Sequence, residues 1–451
     1  MRTVFIISLA LLCSSAVTAQ PRWVALPNAP TTSGKIDDFY FVTEKLGWTL
    51  VVSGSTAAIH KTTDGGLSWT KQLENPGGSR PSFRSMGFTD SLNGWVGSLN
   101  ASSSIPLLYN TTDGGVTWNE VTNIPSGPLG ICGISIVNNT TICGVGRYVT
   151  NTAPYFVKTT DQGQTWTVKD MSPYAGSLVD VRFFSPDTGY ACGSSIEGAD
   201  LSDKKALVLR TTDGGTTWQT AFQGTTAGQL CWKIFFATAT TGYVSIEPFP
   251  QQGQSYTPQY LKTTNRGFSW EVHSMPQNTV NMQGIGFLSD GLRGWTGGFG
   301  GTYETTNGGI TWDRLTIIGT NNPTHNLNRV RMFSDTLGYA TGRTVYKFTS
   351  ENVTTAVESS SLPPDITSLD QNYPNPFNPN TVVQFKINQV SHVSLKILDA
   401  LGREVATLIN EELDQGVYQK IWDARNFPSG TYFYRLVTPE HNETRKMVLI
   451  K

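Results

Sequence analysis

The sequence predicts an all-β chain, a seven-bladed β-propeller followed by a small immunoglobulin-like β-sandwich. Three observations carry that prediction. An eight-residue phrase recurs six times, a Gly-aromatic landmark gives a count of seven, and the composition changes sharply after residue 370. With 45 glycines, 12 tryptophans and 16 tyrosines, the chain is turn-dense and aromatic rather than helical.

The phrase reads TTDGGLSW at 62–69, TTDGGVTW at 111–118 and TTDQGQTW at 159–166. It returns as TTDGGTTW at 211–218, TTNRGFSW at 263–270 and TTNGGITW at 305–312. Its acid or amide falls at Asp64, Asp113, Asp161, Asp213, Asn265 and Asn307, in steps of 49, 48, 52, 52 and 42 residues. A period of that size marks an array of supersecondary units, none of which buries its apolar face alone. Each copy lies between two short apolar or β-branched runs, which is a hairpin signal with Asp-Gly or Asn-Gly at the turn. The side-chain oxygen can accept from backbone N–H groups just downstream, and glycine supplies positive φ. Trp69, Trp118, Trp166, Trp218, Trp270 and Trp312 close the phrase and are large enough to anchor it on a neighbouring unit. Acids committed to their own turns are poorly placed for chemistry, so these twelve residues read as structural.

The phrase resembles the Asp-box, or bacterial neuraminidase repeat. The flanking pattern is similar to the propeller repeat of the photosystem II assembly and stability factor family, over about 330 residues. The resemblance implies a propeller, with the phrase between the third and fourth strands of each blade, and it implies no activity.

The Gly-aromatic pairs count the blades independently. They are Gly47-Trp48, Gly94-Trp95, a degraded Thr141-Ile142, Gly189-Tyr190, Gly242-Tyr243, Gly294-Trp295 and Gly338-Tyr339. An apolar residue closes a strand shortly before each: Phe41, Phe88, Ile136, Phe184, Phe236, Phe287 and Phe333. Seven starts accompany six phrases, and the missing strand is found at the other end of the chain. Residues 23–27, WVALP, resemble the strands that follow each phrase, so an N-terminal strand is expected to close the ring in the last blade.

Residues 1–19 read as a secretory signal peptide, with Arg2, an apolar run from Val4 to Leu12, and cleavage between Ala19 and Gln20. The propeller is expected over 20–350 and a Ser/Thr/Pro-rich linker over 351–370. Residues 371–451 carry alternating segments with turns at Gly402, Gly416 and Ser429-Gly430. Their YPNPFNP opening, ILDALGREV, WDARNFPSGTYFYRL and terminal KMVLIK are similar to the type A C-terminal sorting domain of the bacterial type IX secretion system. That likeness implies passage through the periplasm, engagement of the secretion machinery by 371–451, and release or attachment at the outer face of the outer membrane. An adhesion module of the same fold is the plain alternative.

Net charge is −1 with 15% charged residues and no Lys/Arg run, which excludes a nucleic-acid binder. No other stretch of the mature chain is long and apolar enough for a membrane span, and a monomer is expected. Cys132, Cys143, Cys192 and Cys231 remain after signal cleavage. They form no C-x-x-C pair and cluster with no histidine, so neither a metal site nor a cofactor is expected. Cys132 and Cys143 either pair across a turn or are buried as small apolar side chains.

Loop length selects a candidate ligand face, opposite the repeated phrases. Loops 52–56, 297–301 and 342–344 are short, whereas 98–106, 145–154, 194–205 and 247–259 are long. Asp200, Phe249 and Tyr256 lie in the last two of these. Arg182 and Arg331 share a register two residues before Phe184 and Phe333, where they either hold an anion or pair with local acids. Sialidase chemistry needs a third arginine and a Tyr-Glu pair. Propeller xyloglucanases need facing carboxylates in a cleft between two propellers, and neither pattern is found. The expectation is a secreted or surface-displayed, non-catalytic propeller that binds protein or polysaccharide. The alternative is a sialidase- or xyloglucanase-like glycoside hydrolase.

Overall fold

A computed structural model describes residues 20–450 except 103, 147–151, 198–199, 250–255, 276–280, 321–324, 352, 354–366, 373–374 and 414–415. The expected signal peptide, Ala19 of its cleavage site and most of the expected linker lie outside the described residues. Contacts divide the chain into two compact units, 1–355 and 356–451.

The first unit is a propeller of seven four-stranded antiparallel blades. Blade 4 serves as the pattern. Its inner strand Ser177–Phe183 pairs with Gly189–Ser194, then Lys205–Thr211, then the outer strand Gln219–Ala227. Blade 7 has three consecutive strands, Arg329–Met332, Gly338–Thr341 and Val345–Thr349. Its outer strand is Arg22–Ala25, with Trp23 opposite Phe348. The ring is therefore closed by its own N-terminus. Trp23 is buried there, edge-on to Trp295 at 5.4 Å between centroids.

The Gly-aromatic pairs exist for packing. A Cβ on Gly47, Gly94, Gly242 or Gly294 would sit within 2.6 Å of the ring of Phe41, Phe88, Phe236 or Phe287. In blades 4 and 7 that slot is filled by Phe183 and Met332, not by Phe184 and Phe333 as the sequence suggested. Phe184 and Phe333 turn outward, 42% and 39% exposed. Arg182 and Arg331 accordingly stand one residue before the packing residue rather than two.

The repeated phrase forms one hydrogen-bonded turn. Asp64 Oδ1 accepts the Thr62 hydroxyl at 2.8 Å and the Ser68 N–H at 2.9 Å, while Thr62 Oγ1 accepts the Gly66 N–H at 2.8 Å. Asn265 and Asn307 make the same bonds to Ser269 and Thr311. The second glycine packs on an aromatic of the preceding blade in five of the six phrases, and Gly66 packs on Leu26. At Gly215 (φ 91°) a Cβ would meet the Phe156 ring at 2.3 Å, and Trp218 lies edge-on to the same ring. These turns and the turns after the inner strands share one face, linked in blade 4 by the Gly214 N–H donating to Asp187 O at 2.8 Å.

The second unit is a β-sandwich. One sheet contains Ser368–Leu369, Asn380–Ile387 and Gly416–Asp423. The other runs Glu404–Leu413, Ser391–Leu398, Gly430–Val437, Asn442–Leu449. Leu395, Tyr434, Trp422 and Met447 lie in its common core. The strand Glu404–Leu413 was not anticipated from sequence. Cys132, Cys143, Cys192 and Cys231 are all buried and Cys143 is a free thiol, so of the two readings above the chain adopts burial.

Candidate functional site

The inner strands surround a central channel, and its two mouths differ chemically. At the mouth on the repeated-turn face, corresponding positions of successive inner strands are Tyr40, Gly87, Ser135, Arg182, Phe235, Gly286 and Arg331. Five side chains and two glycines share this register, and Tyr40, Ser135, Arg182, Phe235 and Arg331 line the mouth. The hollow they border is about 260 Å³ and is lined by Tyr40, Arg182, Phe236, Arg329, Arg331 and Phe333 among others. Arg331 donates to Asp38 Oδ1 at 3.1 Å and stands over the Tyr40 ring at 4.7 Å. Arg182 has no acid within ion-pair distance among the described residues; the Phe184 ring lies 5.8 Å away, and Tyr40 and Asp180 act on it only at longer range. Neighbouring atoms and Arg331 depress its pKa, although its side chain is open to solvent: it stands inside a concave mouth that water still enters. Of the two readings of these arginines, Arg331 takes the local acid and Arg182 does not.

The same face is the more apolar one. Eight of the thirteen exposed large hydrophobics among the propeller's described residues lie on it. Leu67, Val116, Phe268 and Ile310 occupy the variable position of the repeated phrase, with Val116 at 72% and Ile310 at 80% exposure. Leu92, Phe184, Leu292 and Phe333 come from the turns after the inner strands.

Deeper in the channel lies a charge network that sequence reasoning missed. Arg329 of blade 7 donates to both oxygens of Asp180 in blade 4, at 2.7 and 3.1 Å, and its Nε lies 3.1 Å from Asp38 of blade 1. Asp38 also accepts the N–H groups of Phe39 at 2.9 Å and Met86 at 3.1 Å, and Asp180 accepts that of Ile234 at 3.1 Å. These acids tie one blade to the next. Burial alone would raise the Asp180 pKa, but Arg329 and Lys233 hold it below the usual carboxylate range.

Three inner strands carry register shifts, at Phe83/Ser85, Leu178/Asp180 and Cys231/Ile234. Bulges of this kind re-aim side chains. They place Arg84 and Trp232 near the long-loop mouth, with Arg84 4.9 Å and Lys35 4.8 Å from the Trp232 ring centroid. Lys35 donates to Gln283 Oε1 at 2.7 Å, and Gln283 donates to Glu247 Oε1 at 2.7 Å. Asp37 lies 3.4 Å from Lys35 and pairs with Arg84. Burial lowers the Lys35 pKa to about 8 and raises that of Glu247. The available signal in sequence was a charge interrupting an apolar inner strand, as in Leu178-Val179-Asp180-Val181 and Cys231-Trp232-Lys233-Ile234.

The residues singled out from sequence do not share one face. Arg182 and Arg331 lie at the repeated-turn mouth. Asp200, exposed in the blade 4 loop, Phe249, packed on Trp232, and Tyr256, donating to Asn281 Oδ1 at 2.7 Å, lie on the opposite side. Among the described residues no group of three or more His, Cys, Asp or Glu is placed to hold a metal, and no helix is long and apolar enough to cross a membrane.

Fold and site together define a class, a seven-bladed β-propeller joined to a C-terminal β-sandwich. Residues 371–451 match the family model for the secretion system C-terminal sorting domain. The chain therefore carries a type IX sorting domain, the mark of a protein exported to the cell surface or secreted. No curated protein matches the sequence. Among solved structures, the chain is similar to YCF48 bound to D1 peptide, with 19% identity over 73% of this chain and 97% of that one and a TM-score of 0.52. It is similar to YCF48 from Cyanidioschyzon merolae, with 19% identity, coverage of 73% and 99%, and a TM-score of 0.51. It is also similar to PorZ, an essential surface component of the type IX secretion system of Porphyromonas gingivalis. There the identity is 13%, the coverage 92% of this chain and 59% of that one, and the TM-score 0.50. At these identities the likeness is one of fold.

Proposed function

We propose that this is a non-catalytic binding propeller, delivered to the cell exterior by its sorting domain, that holds an acidic, partly apolar polypeptide segment on the repeated-turn face. The observation that carries the reading is Arg182. It stands exposed in a concave mouth beside Arg331, lacks an acid partner among the described residues, and is rimmed by exposed Phe184 and Phe333. An arginine left in that state favours a carboxylate in a ligand, and the apolar residues beyond it favour side chains flanking that carboxylate. A YCF48 structure of similar fold holds a peptide, which supports the choice of polypeptide. The long-loop face is a weaker candidate, because Phe249 and Tyr256 are packed or hydrogen-bonded there.

Glycoside hydrolysis needs two carboxyl groups free to face a substrate. Asp37, Asp38 and Asp180 are each held in ion pairs and Glu247 is buried, which supports binding over turnover. The test is calorimetric titration of residues 20–451 with end-blocked peptides carrying Asp or Glu flanked by Leu or Phe, alongside acidic oligosaccharides. Peptide binding that weakens at least tenfold in Arg182→Ala, with unchanged thermal stability, is expected. Oligosaccharide cleavage, or peptide binding indifferent to Arg182, overturns the reading.

A further inference from the structure

Besides Arg182 at the mouth, a second channel cation, Lys233, has no ion-pair partner among the described residues. Its residue is 2% exposed, and its Nζ has no hydrogen-bond acceptor among the described residues. The bulge between Cys231 and Ile234 sets Trp232 and Lys233 outside the regular pairing of the blade 5 inner strand. An ammonium has three donors and no acceptor, and burying it unpaired is costly.

The nearby acids are already occupied. Asp180 receives two donors from Arg329 and the Ile234 N–H; Asp38 receives Arg331 and two backbone N–H groups and lies in ion-pair range of Arg329 Nε. Among the described residues, the six cations Lys35, Arg84, Arg182, Lys233, Arg329 and Arg331 meet four acids, Asp37, Asp38, Asp180 and Glu247, through ion pairs and mutual electrostatic influence. Arg182 accounts for one surplus charge, at the solvent-filled mouth. Lys233 accounts for the other, deep in the channel, where burial, Arg329 and Arg84 depress its pKa to about 7 against the opposing pull of Asp180 and Asp38. A water there would accept one N–H without offsetting the charge. A small anion does both, and in a low-dielectric site the Coulombic part is much larger than in water.

We propose that the channel binds a small monovalent anion, chloride or a congener, at the Lys233 ammonium in the field of Arg84 and Arg329. Such an ion would stabilise the folded ring by mass action, so its effect should grow with its concentration. The site is separate from the Arg182 mouth, and the inference stands whether or not that mouth binds peptide.

The experiment uses residues 20–451. Crystals grown in bromide should show an anomalous peak in contact with Lys233 Nζ. The thermal midpoint should be higher in chloride than in gluconate at equal ionic strength, and the difference should vanish in Lys233→Met. If that variant does not fold, the bromide peak decides alone. Absence of a peak at Lys233 overturns the proposal, as does a halide effect that survives in Lys233→Met or equal wild-type midpoints in the two salts.

Discussion

Arg329 Nη1 lies 2.7 Å from Asp180 Oδ2, joining blade 7 to blade 4 across the centre of the ring. In a seven-membered ring these blades are as far apart as two blades can be, so the pair is a strut across the channel. Both side chains are buried; Arg329 also forms an ion pair with Asp38, and Asp180 also accepts the Ile234 N–H.

Removing one end of the strut should therefore cost more than removing both. Asp180→Ala leaves the Arg329 guanidinium short of its main partner and the Ile234 N–H without an acceptor, a loss of about 3–5 kcal/mol for a broken buried pair. The double replacement Arg329→Met with Asp180→Leu should recover part of that, because no unpaired charge remains. Denaturant unfolding of the three variants checks this. A loss below about 1 kcal/mol for Asp180→Ala would show that the strut is incidental.

The repeated turns should set the acid limit of the propeller. Hydrogen bonds from Thr165 and Thr159 lower the Asp161 pKa to about 2, and those from Thr217 and Thr211 do the same for Asp213, against an ordinary value of 3.8. A carboxylate depressed in the folded state adds stability above the unfolded value and loses it as pH falls through the folded one. Stability should thus decline between about pH 4 and pH 2. Asn265 and Asn307 already fill this position with the same backbone bonds. Asp161→Asn with Asp213→Asn should therefore fold normally and show a shallower acid-unfolding curve, whereas an identical slope would locate the acid sensitivity elsewhere.

Much of the propeller was legible because its determinants are local and repeated. The side-chain bonds of the Thr-Thr-Asp-Gly-Gly turn lie within the phrase itself, and the Gly47-Trp48 type of pair packs on a residue six or seven positions earlier. The one-residue error at Phe183-Phe184 and Met332-Phe333 arose where two adjacent apolar residues fit the inward slot equally well. A strand's side-chain period of two turns such a slip into the opposite face. The strand Glu404–Leu413 was missed because it lies at a sheet edge, where charged residues replace clean alternation. The channel was illegible for a different reason. Asp38, Asp180, Lys233 and Arg329 are spread over nearly three hundred residues, and only closure of the ring brings them together. Arg182 was found by register, but which face it served depended on strand direction.

Ring closure rests on a four-residue strand. Trp23 is buried against Trp295 and Phe348, with centroids 5.4 and 5.3 Å away. Trp23→Ala should cost about 3–5 kcal/mol through the cavity it leaves. Deleting residues 22–26 should do more, since it also exposes the hydrogen-bonding edge of Val345–Thr349. Loss of cooperative unfolding and a tendency to associate, seen by calorimetry and sedimentation, are expected. A deletion variant as stable and monomeric as the parent would mean that blade 7 stands without its fourth strand.

In the sorting domain, Tyr434 couples the opening motif to the sandwich core. Its hydroxyl donates to Asp370 O at 2.7 Å and accepts the buried Asn372 N–H at 2.7 Å. Asn375 and Phe377 follow, pairing with the final strand through the Val448 N–H to Asn375 Oδ1 at 2.8 Å and the Ile450 N–H to Phe377 O at 2.9 Å. Tyr434→Phe keeps the ring but strands a buried donor, at a cost of about 1–3 kcal/mol. Hydrogen exchange on residues 20–451 should then quicken along Gly430–Val437 and Asn442–Leu449 while the propeller strands keep their protection. In cells the same change should lower the exported fraction, because the opening and closing motifs would no longer be held in register. Unchanged exchange in both strands would show that the hydroxyl's two bonds are not what couples the motif to the core.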